Sequence, residues 1–77
     1  MTRLSKRHER ALRYIRECAE AGKPAPTDMQ IGEVAGRPER GGGIVREIAS
    51  QGLLCIERKN SCTRRFVFPD GVATDWT

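Results

Sequence analysis

Residues 24–52, PAPTDMQIGEVAGRPERGGGIVREIASQG, hold two helix starts and two helix stops, and their reading decides the fold. Pro24 and Pro26 push the residues before them out of the helical region, so no helix begins before Thr27. Thr27 followed three residues later by Gln30 is a capping box, and Asp28 suits the positive end of the helix dipole. Ile31, Val34 and Ala35 are then the buried positions, and Gly36 ends this helix after about two turns. Pro38 fits the first position of the next helix, where its missing N–H costs nothing. Ile44, Val45, Ile48 and Ala49 supply that helix's apolar stripe, and Gly52 closes it. Its start is unusual, because Gly41, Gly42 and Gly43 fill the first turns and each glycine costs roughly 1 kcal/mol relative to alanine in a helix interior. The triplet is either a loose loop or a place where a backbone must approach something closely.

Upstream, Ser5 caps a helix running to about Ala21, with Ala11, Leu12, Tyr14, Ile15, Cys18 and Ala19 on one side. Its other side is ionic, with Arg7, Arg10, Arg13, Arg16, Glu17 and Glu20, and Gly22 stops it before Pro24. Downstream the period changes from helical to alternating, which predicts strands over Leu53–Lys59 and Thr63–Phe68. Leu54 and Ile56 share a face, as do Phe66 and Phe68, and the two pairs meet only if Ile56 opposes Phe66. That register leaves Asn60, Ser61 and Cys62 in the loop, or five residues if the Lys59 and Thr63 pair opens. It sets Glu57 opposite Arg65, a favourable pair, and Arg58 opposite Arg64, which is unfavourable unless an anion lies near. Residues 69–77 lack a period and carry one large apolar group, Trp76, which packs on the domain, meets a second subunit or stays disordered.

Seventy-seven residues make one domain with a small core, and the 38% apolar and 31% charged composition suits a soluble globular chain. No run of about 18 apolar residues is present, and the basic start lacks an apolar follow-on. Neither a spanning helix nor a signal peptide is expected, and the expected location is the cytoplasm of a bacterial or phage-infected cell, near the nucleoid. The three cysteines lack a Cys-x-x-Cys pair and His8 is the single histidine, so a four-ligand zinc site is not expected. Cys18 and Cys55 read as small buried hydrophobes, whereas Cys62 falls in the turn. No cofactor, metal or small-molecule ligand is expected. Nor is catalysis, since the chain has no nucleophile elbow and no phosphate loop with its lysine.

The net charge of +4 is unevenly placed. Residues 1–23 carry seven Lys or Arg against three Glu, and residues 53–68 carry four against one. Positive charge at two separated places suits a polyanion touched at several points. The expected architecture is α+β: three helices followed by a two-stranded β-hairpin wing, a winged helix-turn-helix over residues 1–68 with a C-terminal tail over residues 69–77. In that arrangement the third helix enters the major groove of DNA with its N-terminal residues facing base edges.

Residues 4–68 resemble the amino-terminal DNA-binding domain of the LexA repressor family. LSKRHERALRYIRE is similar to that family's first helix. AGKPAPTDMQIGEVAG is similar to its entry to the second helix, and VREIASQGLLCIE to the end of its recognition helix and its first wing strand. The resemblance implies a winged fold and operator binding. The family reads bases with Ser, Asn and Glu side chains at the start of the recognition helix. Here the matching stretch, Arg37 to Gly43, is shortened and filled with glycine, so operator specificity does not carry over. The family's autoproteolytic domain has no counterpart in these residues.

The expected function is a repressor-like regulator of transcription that binds double-stranded DNA, as a monomer or as a homodimer on a two-fold site. Arg40 and Arg46 are the natural guanine or phosphate contacts on the third helix, beside Gly41, Gly42 and Gly43. Arg37 better suits phosphate, and Thr27 and the early residues Lys6 and Arg7 are further candidates. On the wing the candidates are Arg58, Lys59, Asn60, Ser61 and Arg64. The competing reading is a winged module that binds a protein of the transcription machinery, because a fold does not dictate a function.

Overall fold

The computed structural model describes residues 5–76. In chain order it contains α1 (Lys6–Glu20), α2 (Asp28–Ala35), a 3-10 turn (Pro38–Arg40), α3 (Gly41–Ser50), β1 (Cys55–Arg58) and β2 (Arg64–Val67). The protein is therefore α+β, with three helices followed by an antiparallel hairpin.

Local chemistry sets the helix ends. The Ser5 hydroxyl accepts from the His8 amide at the start of α1. At the start of α2 the capping box is closed in both directions: the Thr27 amide donates to Gln30 Oε1 at 3.0 Å, and the Gln30 amide donates to Thr27 Oγ1 at 3.1 Å. Gly36 ends α2 in the left-handed region at φ +83°, where a side chain would be strained. Pro38, expected to open α3, opens the 3-10 turn instead, and α3 begins at Gly41. Ile31, Gly32 and Ala35 are the buried positions of α2, while Val34, expected among them, is 39% exposed. In an eight-residue helix Val34 falls about 100° round from Ala35, at the border of the stripe.

Two glycines let α2 meet its neighbours closely, Gly41 at the start of α3 and Gly32 against the connection at Arg37 and Pro38. A side-chain carbon on Gly41 would lie 1.7 Å from the Asp28 carbonyl oxygen, and one on Gly32 would lie 2.5 Å from the Arg37 carbonyl oxygen. The glycine-rich start of α3 is thus regular helix, and the close approach at Gly41 is to the protein's own α2. Gly41, expected on the DNA-contacting surface, is buried in this contact.

The hairpin has the expected register, with Ile56 opposite Phe66, Glu57 opposite Arg65 and Arg58 opposite Arg64. The strands are shorter than their alternating pattern. The Lys59 amide donates to the Thr63 carbonyl at 3.0 Å, leaving a three-residue loop in which Asn60 Oδ1 accepts from the amides of Cys62 (2.8 Å) and Thr63 (2.9 Å). Leu54, Phe66 and Phe68 pack with Ile15, Ile31, Ile44, Val45 and Ile48 in one core between the helices and the inner face of the hairpin. Cys18 is buried, but Cys55, expected to be buried too, is exposed, because strand alternation places it on the outer face with Glu57.

Residues 69–76, which have no sequence period, belong to the same packing unit. The Phe68 amide donates to Val72, the Thr74 amide donates to the Phe66 carbonyl at 3.0 Å, and the Phe66 amide donates back to the buried Thr74 hydroxyl at 3.0 Å. On its other side this segment meets the α1–α2 connection: the Ala25 amide donates to the Asp75 carbonyl at 3.1 Å, and the Asp75 amide to the Lys23 carbonyl at 3.0 Å. The C-terminal residues therefore lie between β2 and Lys23–Ala25. Trp76 packs on the outer face of the hairpin, its ring centroid 4.8 Å from the Arg65 guanidinium and 5.4 Å from the Lys59 ammonium. Among the described residues no helix is long and apolar enough to cross a membrane.

Candidate nucleic-acid interface

Strand alternation puts Arg58 and Arg64 on the same hairpin face as Ile56 and Phe66, the face turned toward the helices. Near the strand bases that face is apolar and enters the core. Near the loop it is cationic and stands away from the core, leaving a cleft between the hairpin, the start of α2 and the first turns of α3. One cavity of about 290 Å³ is lined by Thr27, Asp28, Arg58, Ser61 and Arg64 among others. A smaller one of about 110 Å³ shares Asp28, Arg58 and Arg64 and adds Gly42 and Arg46 from α3. The structure thus brings Thr27, Gly42, Arg46, Arg58, Ser61 and Arg64 together from three elements.

Arg64 does not project as the expected probe of phosphate. Its Nη2 donates to Asp28 Oδ1 at 2.6 Å and to the Pro26 carbonyl at 3.2 Å, its guanidinium lies 4.9 Å from the Phe66 ring centroid, and its side chain is only 16% exposed. The carboxylate that compensates Arg64 is the protein's own Asp28. Arg58 and Arg46, by contrast, are exposed and have no carboxylate partner among the described residues. Three guanidiniums face one carboxylate across the cleft, which leaves a net positive field at its mouth.

The other candidates lie round this centre. Gly42 is half-buried, with Asp28 Oδ2 3.0 Å from where its side chain would begin, whereas a side chain on Gly43 would meet nothing within 4 Å. Arg40 is exposed at the end of the 3-10 turn, and Arg37 pairs loosely with Glu39 at 3.8 Å. Lys6 and Arg7 are exposed on the first turn of α1, which the His8 to Glu47 contact at 3.0 Å ties to the middle of α3. Lys59, expected beside Arg58 on the probing tip, points to the opposite face, over Trp76. Thr27 Oγ1 and Asn60 Oδ1 accept from backbone amides of their own helix and loop, which fixes both side chains in place.

Asp28 is the residue of the cleft that sequence reasoning placed only as a helix-start carboxylate. The register signalled that Arg58 and Arg64 need an anion, but nothing in the chain order says that α2 supplies it. Among the described residues no group of His, Cys, Asp and Glu could hold a metal ion. The arrangement suits an extended anion with several charged oxygens. Comparison with protein-family models, with curated proteins and with solved structures finds no match for this chain.

Proposed function

We propose that the chain is a winged helix-turn-helix protein that binds double-stranded DNA and regulates transcription. In this reading α2 and α3 are the helix-turn-helix pair, α3 lies in the major groove, and the hairpin is a wing resting on the backbone or in the minor groove. The observation that carries it is the pair of exposed, carboxylate-free arginines, Arg46 on α3 and Arg58 on the hairpin, lining the same cleft from opposite sides. In this reading Arg46, exposed on α3, takes guanine O6 and N7 together, a contact that discriminates by about 1–3 kcal/mol. Arg58 then contacts a phosphate of the flanking backbone. The glycine start of α3 supplies no side chain to read a base, so much of the affinity is electrostatic in this reading.

The test is a selection of duplexes from random sequence, followed by fluorescence anisotropy of the selected duplex across salt concentrations. The logarithm of the binding constant falls linearly with the logarithm of salt, with a slope near 0.9 for each phosphate neutralised. Arg46→Ala relaxes preference at one base pair, and Arg58→Ala weakens all duplexes and lowers the slope by about one. Absence of duplex binding at about 50 mM salt, or unchanged binding by both variants, overturns the reading.

A further inference from the structure

We propose that Asp28 is a specificity-determining residue of the cleft: its carboxylate occupies the place a phosphate would take among Arg46, Arg58 and Arg64, and so penalises indiscriminate backbone binding. The inference rests on the DNA-binding reading above.

Arg64 Nη2 donates to Asp28 Oδ1 at 2.6 Å. The second oxygen lies beside Gly42, 3.0 Å from where a side chain would begin there. The absence of a side chain at Gly42 leaves this carboxylate uncovered, and it remains 53% exposed. It lines both cavities of the cleft, in each with Arg58 and Arg64. A cleft of three guanidiniums alone would draw any polyanion. With Asp28 in place, Arg64 is already compensated, and a phosphate approaching Arg58 or Arg46 meets a fixed negative charge on the opposite wall. Like charges set against a ligand raise discrimination at the expense of affinity, because the wrong partner gains nothing to offset the repulsion. A duplex whose bases engage α3 gains those contacts in addition and tolerates the repulsion. One that offers backbone alone does not.

The experiment compares wild type, Asp28→Asn and Asp28→Ser by anisotropy, each on the selected duplex and on an unrelated duplex of equal length. Asn keeps an acceptor for Arg64 and removes the charge; Ser removes charge and carboxylate shape together. Loss of one repelling charge at the cleft is expected to tighten binding to the unrelated duplex about three- to tenfold. The salt dependence steepens, and the ratio of selected to unrelated affinity falls. Binding by a folded variant that is unchanged, or weakened equally on both duplexes, shows Asp28 to be a structural latch for Arg64 and overturns the proposal. Unfolding of both variants, read by circular dichroism, overturns it too. If wild type binds neither duplex, it is the DNA-binding reading that fails.

Discussion

A side-chain carbon on Gly41 would fall 1.7 Å from the Asp28 carbonyl oxygen, whereas one on Gly43 would meet nothing within 4 Å. The two glycines sit two residues apart in the same helical turn, yet one is required by packing and the other is not. Gly41→Ala must force α2 and α3 apart, and overpacking of this kind costs about 1–3 kcal/mol or more. Gly43→Ala replaces the poorest ordinary helix former in open space and is expected to gain up to about 1 kcal/mol. Urea unfolding of the two variants checks both signs. Equal destabilisation by the two would mean that the first turn of α3 packs differently from the structure. If Gly43→Ala is more stable but binds duplex less well, the missing side chain serves a close approach of DNA. The sequence leaves the triplet as a loose loop or a place of close approach, and it does not distinguish a neighbouring helix from a ligand.

At the scale of elements, the starts of α1 and α2 and the hairpin register are legible in the sequence because each is settled by near neighbours in the chain. Thr27 and Gln30 close their box within one turn, and Ile56 finds Phe66 across a short loop. What is not legible depends on partners far along the chain. Asp70 reads as an isolated acid in an aperiodic tail, yet it accepts from Arg16 Nη1 and Nη2 at 3.0 and 2.7 Å and so binds the turn after β2 to α1. The hydrogen bonds from Arg16, and then that from the Val72 amide, hold the Asp70 carboxyl below its ordinary value of 3.8. A carboxyl depressed in the folded state contributes stability above its unfolded value. That contribution disappears as pH falls through the lower, folded value. Wild type is therefore expected to unfold at a higher temperature than Asp70→Asn at neutral pH, with the two melting temperatures converging in acid. A difference that persists unchanged into acid would mean that the carboxylate charge is not what the contact uses. The effect is small, because both partners face solvent and are screened.

At the scale of the molecule, residues 69–76 determine whether the hairpin is a loose arm or part of the cooperative unit. They hydrogen-bond to β2 on one side and to Lys23–Ala25 on the other, so the hairpin is joined through them to the connection between α1 and α2. A hairpin held in this way presents Arg58 to α3 at a fixed spacing, which the proposed binding of a duplex needs. The sole tryptophan, Trp76, is packed over Arg65 and Lys59 at the far end of this segment, so its fluorescence reports on the join directly. If the segment is integral, thermal unfolding followed by Trp76 emission and by helical circular dichroism coincides in one transition. Removing residues 70–77 strips the hydrogen bonds from Phe66 and exposes apolar surface on the core. Each kcal/mol shifts the melting temperature of a domain this size by roughly 4–8 °C, so a loss of several kcal/mol lowers it by about 15 °C or more. An early, separate Trp76 transition, or a truncated chain as stable as the whole, would make the segment an appendage and leave the hairpin free to swing. In that case the spacing between Arg46 and Arg58 would be set by DNA on binding, and the truncation would leave duplex affinity unchanged.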